Sequence, residues 1–222
     1  MIKNKRNRAA TMERILDALE SILTEQGFEG VNISEIAQRA DVSKVLIYRY
    51  FNNLEGLLAH YVSMGRLTPH YTSAWLTQIQ PSHAQDLAPL WSAQALQLFR
   101  QFRASRPGRE MLKATVRENN SLADAVSKAQ DAELTRLVEQ LSFVEGTDHQ
   151  AASAVMLGAL SYFVIQAQLD RSILGIDLRS EAGWRRAEEA VKLIYKSLNR
   201  LAVDSPLTQV VTKGADMALS AW

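Results

Sequence analysis

The chain has 222 residues and no cysteine, which excludes disulfide bonds and thiolate chemistry. Glycine and proline are sparse, at 10 and 5 residues, whereas good helix formers such as alanine, leucine, glutamine and arginine are frequent. Alternation of apolar and polar residues, the pattern of a half-buried strand, is also lacking. The sequence therefore predicts an all-α protein, and a hydrophobic share of 47% allows a sizeable core.

Recognisable catalytic and metal-binding patterns are lacking too. The four histidines, His60, His70, His83 and His149, do not have a metal-binding spacing such as HxxxH. There is no G-x-S-x-G sequence, no glycine-rich phosphate loop and no evident pair of catalytic carboxylates. We therefore expect no enzymatic activity, no catalytic residues, no bound metal and no cofactor.

No secretory signal is expected, because the basic start MIKNKRNRAATMERIL is not followed by a continuous apolar segment. We expect a cytoplasmic protein. Residues 150–169 contain no charged side chain and are long enough to span a bilayer. Serine and glutamine residues interrupt this segment, so a buried helix of a soluble protein is favoured over a transmembrane helix.

The net charge is only +1, so the overall field does not indicate a nucleic-acid partner. Local charge is more informative, because residues 1–14 contain five basic residues and a single acidic one, Glu13. Two interpretations of this basic start stay open. It is either a solvated, disordered tail or a flexible arm that binds nucleic-acid phosphates.

Apolar spacing predicts a succession of helices, at about residues 9–26, 44–51, 54–67, 83–105, 107–117, 121–143, 148–170 and 181–201. An additional short helix follows Asn32, which begins a capping box with Glu35. Its residues Ile33, Ile36, Ala37 and Ala40 are expected to face inward. Asp41 marks a tight turn, since aspartate tolerates a left-handed conformation, and Ser43 can cap the next helix.

Two short helices joined by a tight turn form a helix-turn-helix, whose second helix can enter the DNA major groove. Within residues 44–51, Ile47 and Phe51 are four apart and form an inward pair. The opposite face combines a cation, an aromatic hydroxyl and aliphatic groups, from Lys44, Val45, Leu46, Tyr48 and Arg49. DNA can bind all of these groups. Basic and hydroxyl side chains bind phosphates, arginine binds guanine, and aliphatic side chains contact thymine methyls.

The segment RILDALESILTEQGFEGVNISEIAQRADVSKVLIYRYFNNLEGLL carries a specific resemblance. Its motifs are Gly27-Phe28, Ile36-Ala37, Ala40, Val42-Ser43, Ile47-Tyr48, Tyr50-Phe51 and Glu55 with Leu57-Leu58. In order and spacing, residues 9–62 resemble the DNA-binding domain of the TetR (tetracycline-repressor) family of bacterial transcription regulators. The remaining three-quarters of the chain match this family only in being helical and of the expected length.

This resemblance implies two domains. Residues 1–62 would form the basic arm and a three-helix helix-turn-helix head, and residues 63–222 a larger helical ligand-binding and dimerisation domain. The resemblance also implies contacts with double-stranded operator DNA from the second helix, the third helix and the start of the fourth. The DNA-binding candidates are Asn32, Ser34, Ser43, Lys44, Val45, Leu46, Tyr48, Arg49, Tyr50, Asn53 and Leu54.

The sequence departs from the family pattern at three of these positions. Leu54 occupies a position where lysine is common. Val45 and Leu46 occupy positions where glycine or proline, and a small hydroxyl residue, are frequent. We therefore expect more contacts with thymine methyls, greater reliance on the basic arm, and stronger non-specific DNA binding in a Leu54→Lys variant.

One helix-turn-helix reads only a few base pairs, so such proteins usually dimerise to read two half-sites. The resemblance places a homodimer interface on about 148–170 and 181–201. The first helix is apolar nearly all round, and the second has an apolar stripe of Trp184, Ala187, Val191, Ile194, Leu198 and Leu201. These features predict a four-helix bundle between two copies, unless both helices serve only the core of one subunit.

Members of the family usually bind a small molecule in the larger domain, and this binding shifts the DNA-binding heads. The candidate pocket residues are Tyr61, Trp75, Trp91, Phe99, Phe102, Met111, Arg117, Tyr162 and Gln166, each of which is alternatively a plain core or solvated residue. The expected function is a repressor that an unidentified effector releases from its operator. Alternatives are a same-fold architectural or cell-division protein without an effector, and a ligand-binding protein that has lost DNA binding.

Overall fold

The computed structural model describes residues 2–67, 86–140, 143–144, 148–203 and 210–211. The helices are α1 (Ile2–Glu25), a 3-10 turn (Phe28–Gly30), α2 (Ile33–Arg39), α3 (Lys44–Phe51), α4 (Leu54–Ser63), α5 (Leu87–Ala104), α6 (Arg106–Arg117), α7 (Ser121–Gln140), α8 (His149–Gln168) and α9 (Glu181–Val203). Two strands of two residues each, β1 (Phe143–Val144) and β2 (Val210–Val211), pair antiparallel with Phe143 opposite Val211. Apart from this pair, the described elements are helical, so the all-α prediction is confirmed.

The chain folds into two compact units. Unit 1 comprises Met1–Pro69 and Phe102–Glu133, and unit 2 comprises His70–Gln101 and Leu134–Trp222. The predicted helix-turn-helix head, residues 1–62, lies wholly within unit 1. A functional boundary after residue 62 stays a prediction.

The basic start of the chain is helical, because α1 begins at Ile2 rather than near residue 9. The expected tail or flexible arm therefore forms the first two turns of α1. Lysine, arginine and alanine favour helix, and no glycine or proline interrupts them. Apolar periodicity missed these turns because residues 3–8 contain no apolar side chain that could reveal it.

The core of unit 1 lies between α1 and the three short helices that follow it. Of the predicted inward residues, Ile36, Ala37, Ala40, Ile47 and Phe51 are buried. Ile33 is only partly buried, and it packs against the same core. They pack with α1 residues that are also buried, namely Ile15, Leu16, Leu19, Ile22 and Leu23. The turn between α2 and α3 has Asp41 at a φ of 51°, the left-handed conformation expected there.

Two arginines fix the shorter helices to α1. Arg39 of α2 donates to Glu25 at 2.6 Å and to Ser21 at 2.8 Å. Arg66, beyond the end of α4, donates to Glu13, Asp17 and Glu20, at 2.5, 2.8 and 2.8 Å respectively. The three carboxylates recur at helical spacing, so they form one acidic face of α1 that a single guanidinium covers.

In unit 2, α5 packs against α9 through aromatic pairs. The ring centroids of Phe99 and Trp184 are 5.2 Å apart, and those of Trp91 and Tyr195 are 6.3 Å apart. The buried stripe of α9 consists of Trp184, Ala187, Val191, Tyr195 and Asn199. Of the predicted stripe, Trp184, Ala187 and Val191 are therefore buried within the subunit, whereas Ile194 and Leu198 lie on an adjacent face and are 44% and 41% exposed. The side chain of Leu201 lies outside the described residues, and the pairing of this stripe with a second copy stays a prediction.

Helix α8 is less buried than the sequence suggested. Of its residues, Met156, Leu160, Val164 and Ile165 are buried, and only 22% of its most apolar 18-residue window lies inside the structure. By length and composition alone, this is the one described helix that could cross a membrane. An apolar face of α8 is therefore left uncovered by the described residues of the single chain, and its burial in a homodimer stays a prediction.

Candidate nucleic-acid interface

The three short helices of unit 1 begin at side-chain caps, which fix where each polar candidate lies. The side-chain oxygen of Asn32 accepts from the Glu35 N–H at 2.9 Å, and that of Asn53 accepts from the Gly56 N–H at 2.7 Å. Ser43 Oγ accepts from the Leu46 N–H at 3.3 Å. Each cap satisfies a backbone donor of the first turn, so these residues set the direction of their helices.

Asn32 forms only half of the predicted capping box. Its amide also donates to the Gly30 carbonyl at 3.1 Å, while Glu35 accepts from Arg39 at 2.8 Å instead of bonding back to Asn32. Both the oxygen and the nitrogen of the Asn32 side-chain amide therefore already make a hydrogen bond within the protein. Ser34, one position into α2, is exposed.

The outward face of α3 is exposed. Val45 and Tyr48 are 74% and 49% exposed, and Ser43, Lys44 and Arg49 are exposed as well. Leu46 is half-buried. This surface combines two cations, two hydroxyl groups and an aliphatic side chain on one short helix, and these are the groups that read phosphates and base edges.

The sequence interpretation placed Tyr50 on the outward face of α3, but in the structure it lies only partly outward. It is half-buried and packs against the core of unit 1, with its ring 6.4 Å from that of Phe51 in an edge contact. The Cζ atoms of Arg8 and Arg49 lie 5.2 and 5.4 Å from the centre of the Tyr50 ring. Both distances are within cation–π range. Tyr50 therefore connects the first turns of α1 to α3, an arrangement that spacing could not reveal.

Leu54 is the first residue of α4, and it is half-buried against the core of unit 1. This packing gives a physical reason for a leucine where the family pattern has a lysine. Asn53, immediately before it, is exposed, and its side-chain oxygen already accepts the capping hydrogen bond from the Gly56 N–H. At the start of α4, the chain therefore offers the helix N-terminus itself as a candidate anion-binding group.

The predicted pocket residues divide between the two units. Tyr61, Phe102, Met111 and Arg117 lie in unit 1, whereas Trp91, Phe99, Tyr162 and Gln166 lie in unit 2. Tyr61 and Met111 are fully buried, while Arg117 and Tyr162 are exposed. Trp75 lies outside the described residues. The candidates therefore do not form one site within a single unit.

Sequence reasoning missed two buried amides of unit 2. Gln94 of α5 and Asn199 of α9 are only 7% and 6% exposed. Their side-chain oxygens have no hydrogen-bond partner among the described residues. A buried acceptor without a donor is costly, so such atoms often mark a site for a ligand or an ordered water. In the sequence, each of these residues interrupts an otherwise apolar stripe of its helix, and this interruption could have indicated a buried amide.

A cleft of about 250 Å³ lies beside α6 in unit 1. Three acidic and three basic side chains line it: Glu29, Glu110, Glu118, Arg106, Lys113 and Arg117. Of the predicted pocket residues, Arg117 alone contributes to this cleft. In the described part of the chain, no three histidine, aspartate or glutamate residues form a group that could hold a metal.

Comparisons with known proteins agree with this geometry. Residues 15–61 match the family model for bacterial regulatory proteins of the tetR family. Over 48 residues, the chain is 42% identical to the HTH-type transcriptional regulator YvkB of Bacillus subtilis. That match covers 22% of this chain and 25% of YvkB. The chain thus spans about a quarter of the length of the curated relatives that it matches.

Solved structures resemble a larger part of the chain. A TetR transcriptional regulator from Agrobacterium tumefaciens aligns with a TM-score of 0.57 and 17% identity, over 84% of this chain and 93% of that one. The regulator FadR from Bacillus subtilis, in complex with stearoyl-CoA, aligns with a TM-score of 0.52 and 19% identity, over 83% and 97%. At these identities the likeness establishes a shared fold.

The capped α2–turn–α3 arrangement with its exposed polar face is a helix-turn-helix, the arrangement that many DNA-binding transcription regulators use. Residues 15–61 belong to the tetR family of bacterial regulatory proteins.

Proposed function

We propose that this protein is a homodimeric repressor that binds an operator through the outward face of α3 and leaves it when a small-molecule effector binds. The observation that carries the DNA-binding part is the exposure of Lys44, Tyr48 and Arg49 on a helix whose opposite face is buried. The cation–π contacts of Tyr50 add support, because they hold Arg8 and Arg49 beside this face. A cytoplasmic location follows from a DNA partner, and no catalytic role is proposed.

The DNA-binding proposal is tested by selecting bound sequences from random duplex DNA with the full-length protein. We expect enrichment of two related half-sites. Arg49→Ala should relax the preference at one base position, at a cost of about 1–3 kcal/mol. Lys44→Ala should weaken binding to all sequences and reduce the salt slope by about one.

The matched control is Lys128→Ala, which removes an exposed cation from α7 in the same unit. It should leave both the preference and the salt slope unchanged. A selection that enriches no sequence, or equal effects of Lys44→Ala and Lys128→Ala, would contradict the assigned DNA-binding face.

The exposed apolar faces of α8 and α9 support the homodimer. On α8, the exposed residues are small or apolar and recur at helical spacing: Ala151, Ala154, Val155, Gly158, Ala159 and Tyr162. A Cβ atom at Gly158 would meet nothing within 4 Å, so the backbone there is open to close approach. On α9 the exposed face includes Leu193, Ile194 and Leu198. Apolar faces of this extent are typical of subunit interfaces.

The two unpartnered amides, Gln94 and Asn199, support an effector site in unit 2. Because their free atoms are oxygens, the ligand would supply hydrogen-bond donors. The complex of the FadR neighbour with stearoyl-CoA makes that compound a reasonable first probe. We expect stearoyl-CoA or another metabolite of a screened panel to release the protein from its selected operator.

Gln94→Met keeps the volume of the side chain approximately but removes the acceptor. The variant should retain operator affinity and respond more weakly to the releasing compound. If no compound of the panel releases the operator complex, the effector part of the proposal fails while the DNA-binding part stands.

A further inference from the structure

A tight turn lies between α8 and α9. The Ile173 N–H donates to the Ile176 carbonyl at 3.1 Å, and the Ile176 N–H donates to the Ile173 carbonyl at 2.8 Å. The two residues between them, Leu174 and Gly175, have φ values of 50° and 73°. Two positive φ angles between a pair of bridged residues are the mark of a type I′ turn.

The segments on either side hold this turn in place. At the end of α8, Asp170 adopts a φ of 53°, and the Arg171 N–H donates to the Gln166 carbonyl at 3.0 Å. This closure is typical of a helix C-terminus. Towards α9, the Ser180 side chain accepts from the Gly183 N–H at 3.0 Å. The tip of the turn is therefore presented in a defined position.

Leu174 is unsuited to this position in an isolated subunit. Type I′ turns favour asparagine, aspartate or glycine at the first central residue, because a larger side chain strains the left-handed backbone. Leu174 is also 96% exposed, the highest value among the exposed large apolar residues. Neither the backbone nor the packing of the described residues explains a leucine there.

The turn continues the exposed face of α8. Val155, Tyr162 and Leu169 are seven residues apart in sequence, so they lie along one side of the helix, and they are 70%, 53% and 41% exposed. Leu169 ends this row, and the turn with Leu174 follows within five residues. The apolar surface proposed for the homodimer therefore leads directly to the tip of the turn.

We propose that Leu174 is an additional docking residue, which packs against an apolar surface of a second copy of this chain beyond the contact between helices α8 and α9. This inference rests on the proposed homodimer. Because a two-fold interface is the same on both subunits, each copy would insert one such leucine into the other. The strain and the exposure of Leu174 would then be offset only in the assembled protein.

The test compares the dimer dissociation constants of the full-length protein and of a Leu174→Asn variant by analytical ultracentrifugation. Asparagine suits the turn conformation but removes the apolar side chain, so we expect the dissociation constant to rise at least about tenfold. Val116→Asn is the control, because Val116 is an exposed apolar residue of unit 1, at 66%. It should leave dimerisation unchanged.

Two results would overturn the inference in distinguishable ways. If the unmodified protein is a monomer at micromolar concentration, the proposed homodimer fails and the docking of Leu174 fails with it. If the protein dimerises and Leu174→Asn leaves the dissociation constant unchanged, the docking role alone is wrong. A higher melting temperature of that variant would then show that Leu174 is only a strained turn residue.

A direct contact measurement is available because the chain contains no cysteine. A single cysteine introduced by Leu174→Cys can carry a maleimide-linked photo-crosslinker. Irradiation should give a crosslinked dimer for this variant and none for the matching Val116→Cys variant. Equal crosslinking of the two variants would contradict a specific contact at the turn.

Discussion

At the scale of single residues, Tyr50 has two functions in the proposed interface. The residue packs on the core of unit 1, and the guanidinium groups of both Arg8 and Arg49 lie within cation–π range of its ring. A side chain that is anchored in the core can hold two mobile cations near the same surface. This anchoring lowers the conformational entropy that the arginines lose when they bind phosphate or base.

A pair of substitutions separates the ring of Tyr50 from its hydroxyl group. Tyr50→Leu removes the ring, and loss of two exposed cation–π contacts, at about 0.5–1 kcal/mol each, should weaken operator binding roughly 5- to 30-fold. Tyr50→Phe keeps the ring and should bind nearly as well as the unmodified protein. Fluorescence anisotropy with the selected operator measures both. Equal losses would indicate that the hydroxyl contacts DNA and that the stacking is unimportant.

Leu54 differs from Tyr50 because packing against the core of unit 1 accounts for a leucine at this position, whereas the family pattern has a lysine there. A lysine there can keep its aliphatic stem against the core and extend its ammonium towards DNA. Leu54→Lys should therefore tighten binding to random DNA and steepen the salt slope by up to about one. Leu54→Gln serves as the uncharged control. If Leu54→Lys instead weakens binding relative to Leu54→Gln, residue 54 does not face phosphates.

At the scale of elements, the acidic face of α1 holds the end of α4 through Arg66. Burial alone would lower the pKa of Arg66, but hydrogen bonds to Glu20, Asp17 and Glu13 outweigh it and raise that pKa above its usual value. The folded pKa is raised, so this contribution to stability is complete below the ordinary arginine pKa. It is lost only at extreme alkaline pH. The guanidinium also lies 5.9 Å from the centre of the buried Tyr61 ring.

Removing this guanidinium should destabilise the protein. Arg66→Met keeps most of the apolar stem and leaves three carboxylates of α1 facing each other without a cation, at a cost of about 1–3 kcal/mol. Lys192→Met is the control, because it removes a solvated ion pair within α9 and should cost well under about 1 kcal/mol. Urea unfolding near pH 7 measures both. Equal midpoints would show that Arg66 does not stabilise the end of α4.

The elements also show how far the sequence can be interpreted. Caps and apolar spacing predicted α2, α3 and their buried residues, because both signals are local and lie in unit 1's core. The beginning of α1 was not predicted because residues 3–8 contain no apolar side chain. The sequence could not show which α9 residues are buried within the subunit, since Val191 is followed by apolar residues at both three and four positions, and only tertiary packing decides between Ile194 and Tyr195. The partial burial of Tyr50 and Leu54 was not predictable for the same reason, as it depends on distant residues.

At the scale of the whole molecule, the proposed homodimer couples two weak DNA-reading heads. One helix reads only a few base pairs, so binding by the second head of a dimer is effectively intramolecular and raises affinity without new contacts. Ile194 lies on the exposed face of α9, where a charge would be buried without a partner if two copies associate. Subunit association and operator recognition should therefore be lost together when this face is charged.

Ile194→Glu provides this test. The variant should sediment as a monomer and lose at least about 100-fold in affinity for a two-half-site operator, while its weak binding to a single half-site is unchanged. Val116→Glu, which charges an exposed valine of unit 1 outside the proposed interface, should leave both properties intact. Far-ultraviolet circular dichroism must show that both variants remain folded. A dimeric Ile194→Glu variant would place the interface elsewhere, whereas a monomer with undiminished operator affinity would mean that one head suffices for recognition.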